Sequence, residues 1–107
     1  MIFIVVKWSV RPEHSESWLT VVEPFTQATR AEAGNIFFEW SRSVDDPNVY
    51  YLIEAFTDGS AEAHVTSAHS KAATELLPDF VASTPSIISL RDIPGDGWGE
   101  MAEIHPR

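Results

Sequence analysis

Glu54, His64 and His69 are the side chains best suited to proton transfer in this sequence. Glu54 sits in an alternating stretch where Tyr50, Leu52, Glu54 and Phe56 share one face. A carboxylate among aromatic and aliphatic neighbours is costly unless it is paired or neutral. Its pKa therefore rises by burial or falls beside a cationic imidazole. An imidazole titrates near neutrality and suits a general base, which makes His64 the first candidate and His69 the second. Glu54 is then expected to orient or charge-stabilise an imidazole. The same residues also have a purely structural reading. His64 lies three residues after Ala61 and four before Ala68, a small-residue face that suits a boundary histidine with a satisfied hydrogen bond. Glu54 would then be a structural acceptor. Phe25, Phe38 and Trp40 are candidates for lining a pocket, and aromatic residues at such positions also build cores.

Other chemistries lack their residues. The chain has no cysteine, which removes thiolate nucleophiles, disulfides, iron–sulfur clusters and Cys-ligated zinc. His64 and His69 are five residues apart, about 140° around a continuous helix, so they diverge unless the helix breaks near Ser67. The expectation is therefore no metal and no cofactor. The glycines form no phosphate loop, because Gly95, Gly97 and Gly99 follow the last strand instead of joining a strand to a helix. No serine sits in a nucleophile elbow.

These side chains need a frame to hold them. Ile2–Val10 reads as a strand that is apolar on both parities and hence buried on both faces. Pro12 and Glu13 open a helix to about Ala33, with Trp18, Val22, Phe25 and Thr29 at helical spacing. Pro24 kinks or restarts it, and Gly34 is expected as its C-terminal cap. Asn35–Val44 and Asn48–Phe56 read as a hairpin around Asp45-Asp46-Pro47. Asp58-Gly59-Ser60 starts a helical region ended by Pro78, and Pro85–Ile93 is a last strand. The order strand, helix, strand, strand, helix, strand predicts an α+β, ferredoxin-like split βαβ fold. In it a four-stranded antiparallel sheet carries helices on one face. The other face is also apolar, so a homodimer pairing sheet with sheet is expected. Residues 1–93 form the expected domain. The tail 94–107 holds Trp98, Met101 and Ile104, enough apolar surface to predict that it packs on the partner subunit.

With 107 residues the chain is one domain by length, and at this size association with a second copy helps bury its surface. It carries 16 Asp and Glu against 7 Lys and Arg, a net charge of −9, with the basic residues scattered. Nucleic acid and anionic lipid are thereby excluded as partners. The longest apolar run, Ile2–Val6, is too short to span a membrane, and no signal-peptide pattern opens the chain. Cytoplasm is the default expectation.

A set of short motifs in order, Glu32-Ala33-Gly34, Asp46-Pro47, Glu54-Ala55-Phe56, Ala63-His64 and Ser67-Ala68-His69, resembles the antibiotic biosynthesis monooxygenase domain over about Ile2–Asp92. The resemblance implies a dimeric α/β barrel of ferredoxin-like halves. It also implies cofactor-independent oxygenation of a small aromatic, a quinol or polyketide phenol, with dioxygen as co-substrate. The haem-degrading branch of that family would place a Trp near His64 and a ligating His near Thr74, and neither is present. The family often has an aromatic where Ser70 stands, a change that opens or polarises the pocket here. Two other activities fit the same fold. One is an isomerase or cyclase whose base abstracts a proton next to a carbonyl; the other is a dimeric ligand binder without catalysis.

Overall fold

The computed structural model describes residues 1–107. Four antiparallel strands, β1 (Ile2–Ser9), β2 (Asn35–Arg42), β3 (Val49–Phe56) and β4 (Ser86–Leu90), lie in the order β2-β3-β1-β4. This is the predicted ferredoxin-like sheet. Helices α1 (Trp18–Val21), α2 (Glu23–Arg30), α3 (Ala61–Val65) and α4 (Ala68–Leu76) cover one side. Register decides which side chains meet there. Ile4 and Phe38 both stand opposite Glu54, and Val6 and Trp40 stand opposite Leu52. The period of two then puts Tyr50, Leu52, Glu54 and Phe56 on the helix side together. All four are buried.

The core on that side is aromatic. Trp18 packs against Trp8, Trp40 and Tyr50, with ring centroids 5.3 to 6.3 Å apart. Phe25 of α2 meets Phe38 edge to face at 5.4 Å. Such pairs contribute roughly 0.5–1.5 kcal/mol beyond the area they bury. Trp40 donates its indole N–H to Thr26 Oγ1 at 2.9 Å, and Tyr50 donates its hydroxyl to the Ser15 carbonyl at 2.8 Å. Both polar tips are therefore satisfied inside the core.

The first helical region, expected to reach Ala33 with a kink or restart at Pro24, does restart there and is in all three pieces: a 3₁₀ turn at Pro12–His14, then α1, then α2. Val22 leaves helical geometry, and Pro24 falls in the first turn of α2, where a missing N–H costs nothing. Gly34 is not the cap, because α2 ends at Arg30 with Ala31 as its C-cap. Its role is close approach. A Cβ at Gly34 would lie 2.3 Å from Ser60 Cβ and Oγ. Ser60 Oγ in turn donates to the Thr57 carbonyl at 2.7 Å. The helical region after Ser60 does break at Ser67. Ser67 adopts an extended backbone, caps α4, and accepts a hydrogen bond from the Ser70 N–H at 3.2 Å.

The opposite face of the sheet carries no helix. Phe3, Val5, Phe37, Ile53 and Ile88 lie on it, as the register requires. Ile88 is 60% exposed and Leu90 46%. The tail has no regular element, but Trp98 stacks on Phe37 of the same chain with centroids 5.4 Å apart. Met101 and Ile104 remain exposed.

Candidate active site

Glu54 occupies the middle of β3 and points between sheet and helices, where it is only 6% exposed. It lines a cavity of about 480 Å³ together with Trp8, Phe25, Leu52, Ser70 and Thr74. The loop from Val81 to Pro85 forms the far wall. That loop is held against the end of β1, since Ala82 donates its N–H to the Ser9 carbonyl at 2.8 Å. The volume is in the range of small-molecule sites, and the lining is mainly apolar with a few hydroxyls. Burial pushes the Glu54 carboxyl up to about 7, and the negative charge of Glu32 adds to the rise. A carboxyl poised there changes protonation near neutral pH, as a general base requires.

The two histidines stand beside this cavity, in a cluster of their own. The break at Ser67 turns α4 relative to α3, so the rings approach to 6.0 Å between centroids. They converge on Glu32, which follows α2. His64 Nδ1 is 2.8 Å from Glu32 Oε2, and His69 Nε2 is 2.5 Å from the same oxygen. A neutral imidazole carries one N–H, so both rings can donate to this carboxylate. Phe56 at 4.9 Å and Phe25 at 5.8 Å flank the His64 ring.

Of the residues singled out from sequence, Glu54 and Phe25 line the large cavity, while His64 and His69 do not. His69 lines a separate small apolar recess beside Phe25, Ala72 and Leu76. Phe38 is 1% exposed and belongs to the core, as does most of Trp40. The partner of the imidazoles is Glu32 and not Glu54. Glu32 stood in the sequence only as part of a Glu-Ala-Gly motif after a helix, and no spacing rule ties it to residues 32 and 37 positions later. Ser70, where the family resemblance put a change in the pocket, lines the cavity. Trp8 and the Val81–Pro85 wall were not legible as site residues, because only the folded chain brings them together.

Comparison with known proteins agrees with this architecture. The family model described as antibiotic biosynthesis monooxygenase matches residues 1–76. A Bacillus subtilis (strain 168) protein named "Putative monooxygenase YcnE" is 28% identical over 90 residues, spanning 83% of this chain and 87% of that one. A solved structure titled "Putative antibiotic biosynthesis monooxygenase from Nitrosomonas europaea" superposes with a TM-score of 0.79 at 25% identity, covering 88% of this chain and all of that one. A Deinococcus radiodurans structure, at 20% identity and a TM-score of 0.79, covers 94% and 99% and shares the fold. No helix is long and apolar enough to cross a membrane. With the family model matching well over half of its length, the chain belongs to the antibiotic biosynthesis monooxygenase family.

Proposed function

We propose that the chain is a monooxygenase that oxidises a small electron-rich aromatic, a quinol or polyketide-type phenol, with dioxygen. The observation that carries this reading is the buried Glu54 carboxyl in a mainly apolar cavity lined by Trp8, Phe25 and Leu52. As a carboxylate, Glu54 takes the phenolic proton. The phenolate then passes one electron to dioxygen, and the resulting radical pair combines at a ring carbon bearing hydrogen. Loss of that hydrogen with cleavage of the O–O bond releases water and leaves a carbonyl. The balance is one phenol and one dioxygen giving one quinone and one water, so no external reductant enters. Apolar walls favour this course by keeping water from the reactive intermediate. Ser70 and Thr74 supply hydroxyls that can orient the substrate oxygen.

This reading moves the base role from His64 to Glu54, since Glu54 reaches the cavity. A second copy of the chain is the proposed cover of the open sheet face, because Val5, Ile53 and Ile88 are apolar, Ile88 is largely exposed, and the helices lie on the other side of the sheet.

The test is oxygen uptake by the purified chain with a panel of benzene-, naphthalene- and anthracene-based phenols, chosen first by thermal shift. Uptake with one quinone formed per dioxygen, lost in Glu54→Gln, is the expected result. Turnover that proceeds equally without oxygen would replace it with isomerisation of a carbonyl compound. Binding with no turnover at all would leave a ligand-binding protein.

A further inference from the structure

We propose that Glu32, His64 and His69 form a site for one divalent transition-metal ion of the zinc, cobalt or iron(II) class. The three side chains come from three places in the chain: the turn after α2, α3, and the first turn of α4. Each offers one ligand atom, and the three atoms lie within 4.8 Å of one another. Glu32 Oε2 is the shared point, 2.8 Å from His64 Nδ1 and 2.5 Å from His69 Nε2. Metal–ligand bonds of roughly 2.0–2.2 Å place neighbouring ligand atoms about 3.0–3.4 Å apart. Admitting an ion therefore requires the carboxylate to draw back by roughly 0.2–0.6 Å from His64 Nδ1 and roughly 0.5–0.9 Å from His69 Nε2, and the two ring nitrogens, within 4.8 Å of each other, to settle to the same spacing by side-chain torsions.

The donor set selects the class of ion. Two imidazole nitrogens and one carboxylate oxygen suit zinc, cobalt and iron, whereas magnesium and calcium prefer all-oxygen surroundings. Three protein ligands leave at least one position for water, the pattern of reactive rather than purely structural metal sites. Solvent can reach that position, because the Glu32, His64 and His69 side chains are 17%, 12% and 24% exposed. The walls are the aromatic rings of Phe25 and Phe56, and neither the Glu32 carboxylate nor the two rings is paired with a Lys or Arg. An incoming cation thus meets no fixed positive competitor in ion-pair contact. The site departs from the expectation of a metal-free chain, which assumed that His64 and His69 diverge on one helix. It is also separate from the Glu54 reading, because it rests on different side chains and is read by binding and not by turnover.

The experiment is isothermal titration of the chelator-treated full chain with Zn²⁺ and with Co²⁺, the latter also followed by its visible absorption bands. One ion per chain is expected. Glu32→Gln and His69→Gln should each weaken binding about 100-fold or more, since changes outside the ligand set alone cost about 10- to 100-fold. His14→Ala and His105→Ala should leave it unchanged. In the parent chain, Zn²⁺ should shift the ring-nitrogen resonances of His64 and His69 in NMR and spare those of His14 and His105, a readout that needs no variant to fold. Absence of stoichiometric binding overturns the proposal. Binding that survives the Glu32 and His69 substitutions in folded protein overturns it equally, as do Zn²⁺-induced shifts confined to His14 or His105.

Discussion

His64 and His69 meet ring to ring at 6.0 Å across the break between α3 and α4. On one uninterrupted helix their five-residue spacing would send them to different sides, about 140° apart. Ser67 makes the difference, since its extended backbone ends one helical turn and its hydroxyl caps the next. Removing that cap in Ser67→Ala should cost about 1 kcal/mol of unfolding free energy. Urea denaturation of the folded variant measures it. A loss near zero would mean that the packing around Phe25 holds α4 in place without the cap.

Gly34 and Ser60 are a second close pair, with no room for a methyl group between them. Gly34→Ala should destabilise the chain by about 1–3 kcal/mol, the usual cost of overpacking. Adding Ser60→Gly removes both atoms that clash and should restore a large part of that loss. A double-mutant cycle in denaturant checks the coupling, and purely additive effects would contradict the steric origin.

Glu54 links stability to pH. Its carboxyl is raised from the ordinary 4.5 to about 7 by burial and by the charge of Glu32. Between those values the folded chain holds a proton that the unfolded chain has released. Stability from this group is therefore fully present below pH 4.5 and is lost as pH rises through about 7. The amount is of the order of 3 kcal/mol at most. Glu54→Gln, which carries no charge at any pH, should melt higher than the parent at pH 8, and the gap should close towards pH 5. Melting curves across that range decide it; a gap independent of pH would show that Glu54 is not neutral when buried.

The open sheet face gives a prediction about assembly. Ile53 and Ile88 both stand opposite Val5 on that face. If a second copy covers it, the parent should sediment as a dimer at micromolar concentration. Ile53→Glu with Ile88→Glu should then shift it to a monomer, because uncompensated like charges in such an interface cost several kcal/mol. A parent that sediments as a monomer would leave the face without its proposed cover.

The sheet and its order were legible because alternation and turn residues are local signals. Asp46-Pro47 marks the hairpin, and Asn48 donates its N–H back to Asp46 Oδ1 at 2.9 Å. Glu54 was legible as a misfit, a carboxylate on an apolar face. What sequence did not show was partnership. Glu32 reaches His64 and His69 only after α2, α3 and α4 have docked, and Trp8 reaches the cavity only through the β1–β3 register. Phe38 and Trp40 looked equally suited to pocket or core. Their ring contacts with Phe25 and Trp18 place them in the core.

The last prediction separates Glu54 from the histidines by the shape of the pH–rate profile. If the Glu54 carboxylate is the base, kcat/KM should rise about tenfold per pH unit below neutrality and level off above about 7. Only the ionised fraction can accept the phenolic proton. Glu54→Gln keeps the shape of the side chain but cannot accept that proton, so turnover should fall about 10²- to 10⁴-fold. The inflection should vanish with it. His64→Gln should lower the rate far less and keep the inflection, because His64 does not line the cavity. A substrate that itself ionises near 7 would mimic this profile, so two phenols of different acidity should be compared. The inflection should stay in place for both. If it follows the phenol, or persists in Glu54→Gln, the base is elsewhere. His64 then returns as the first candidate, acting on substrate that enters by the recess beside His69.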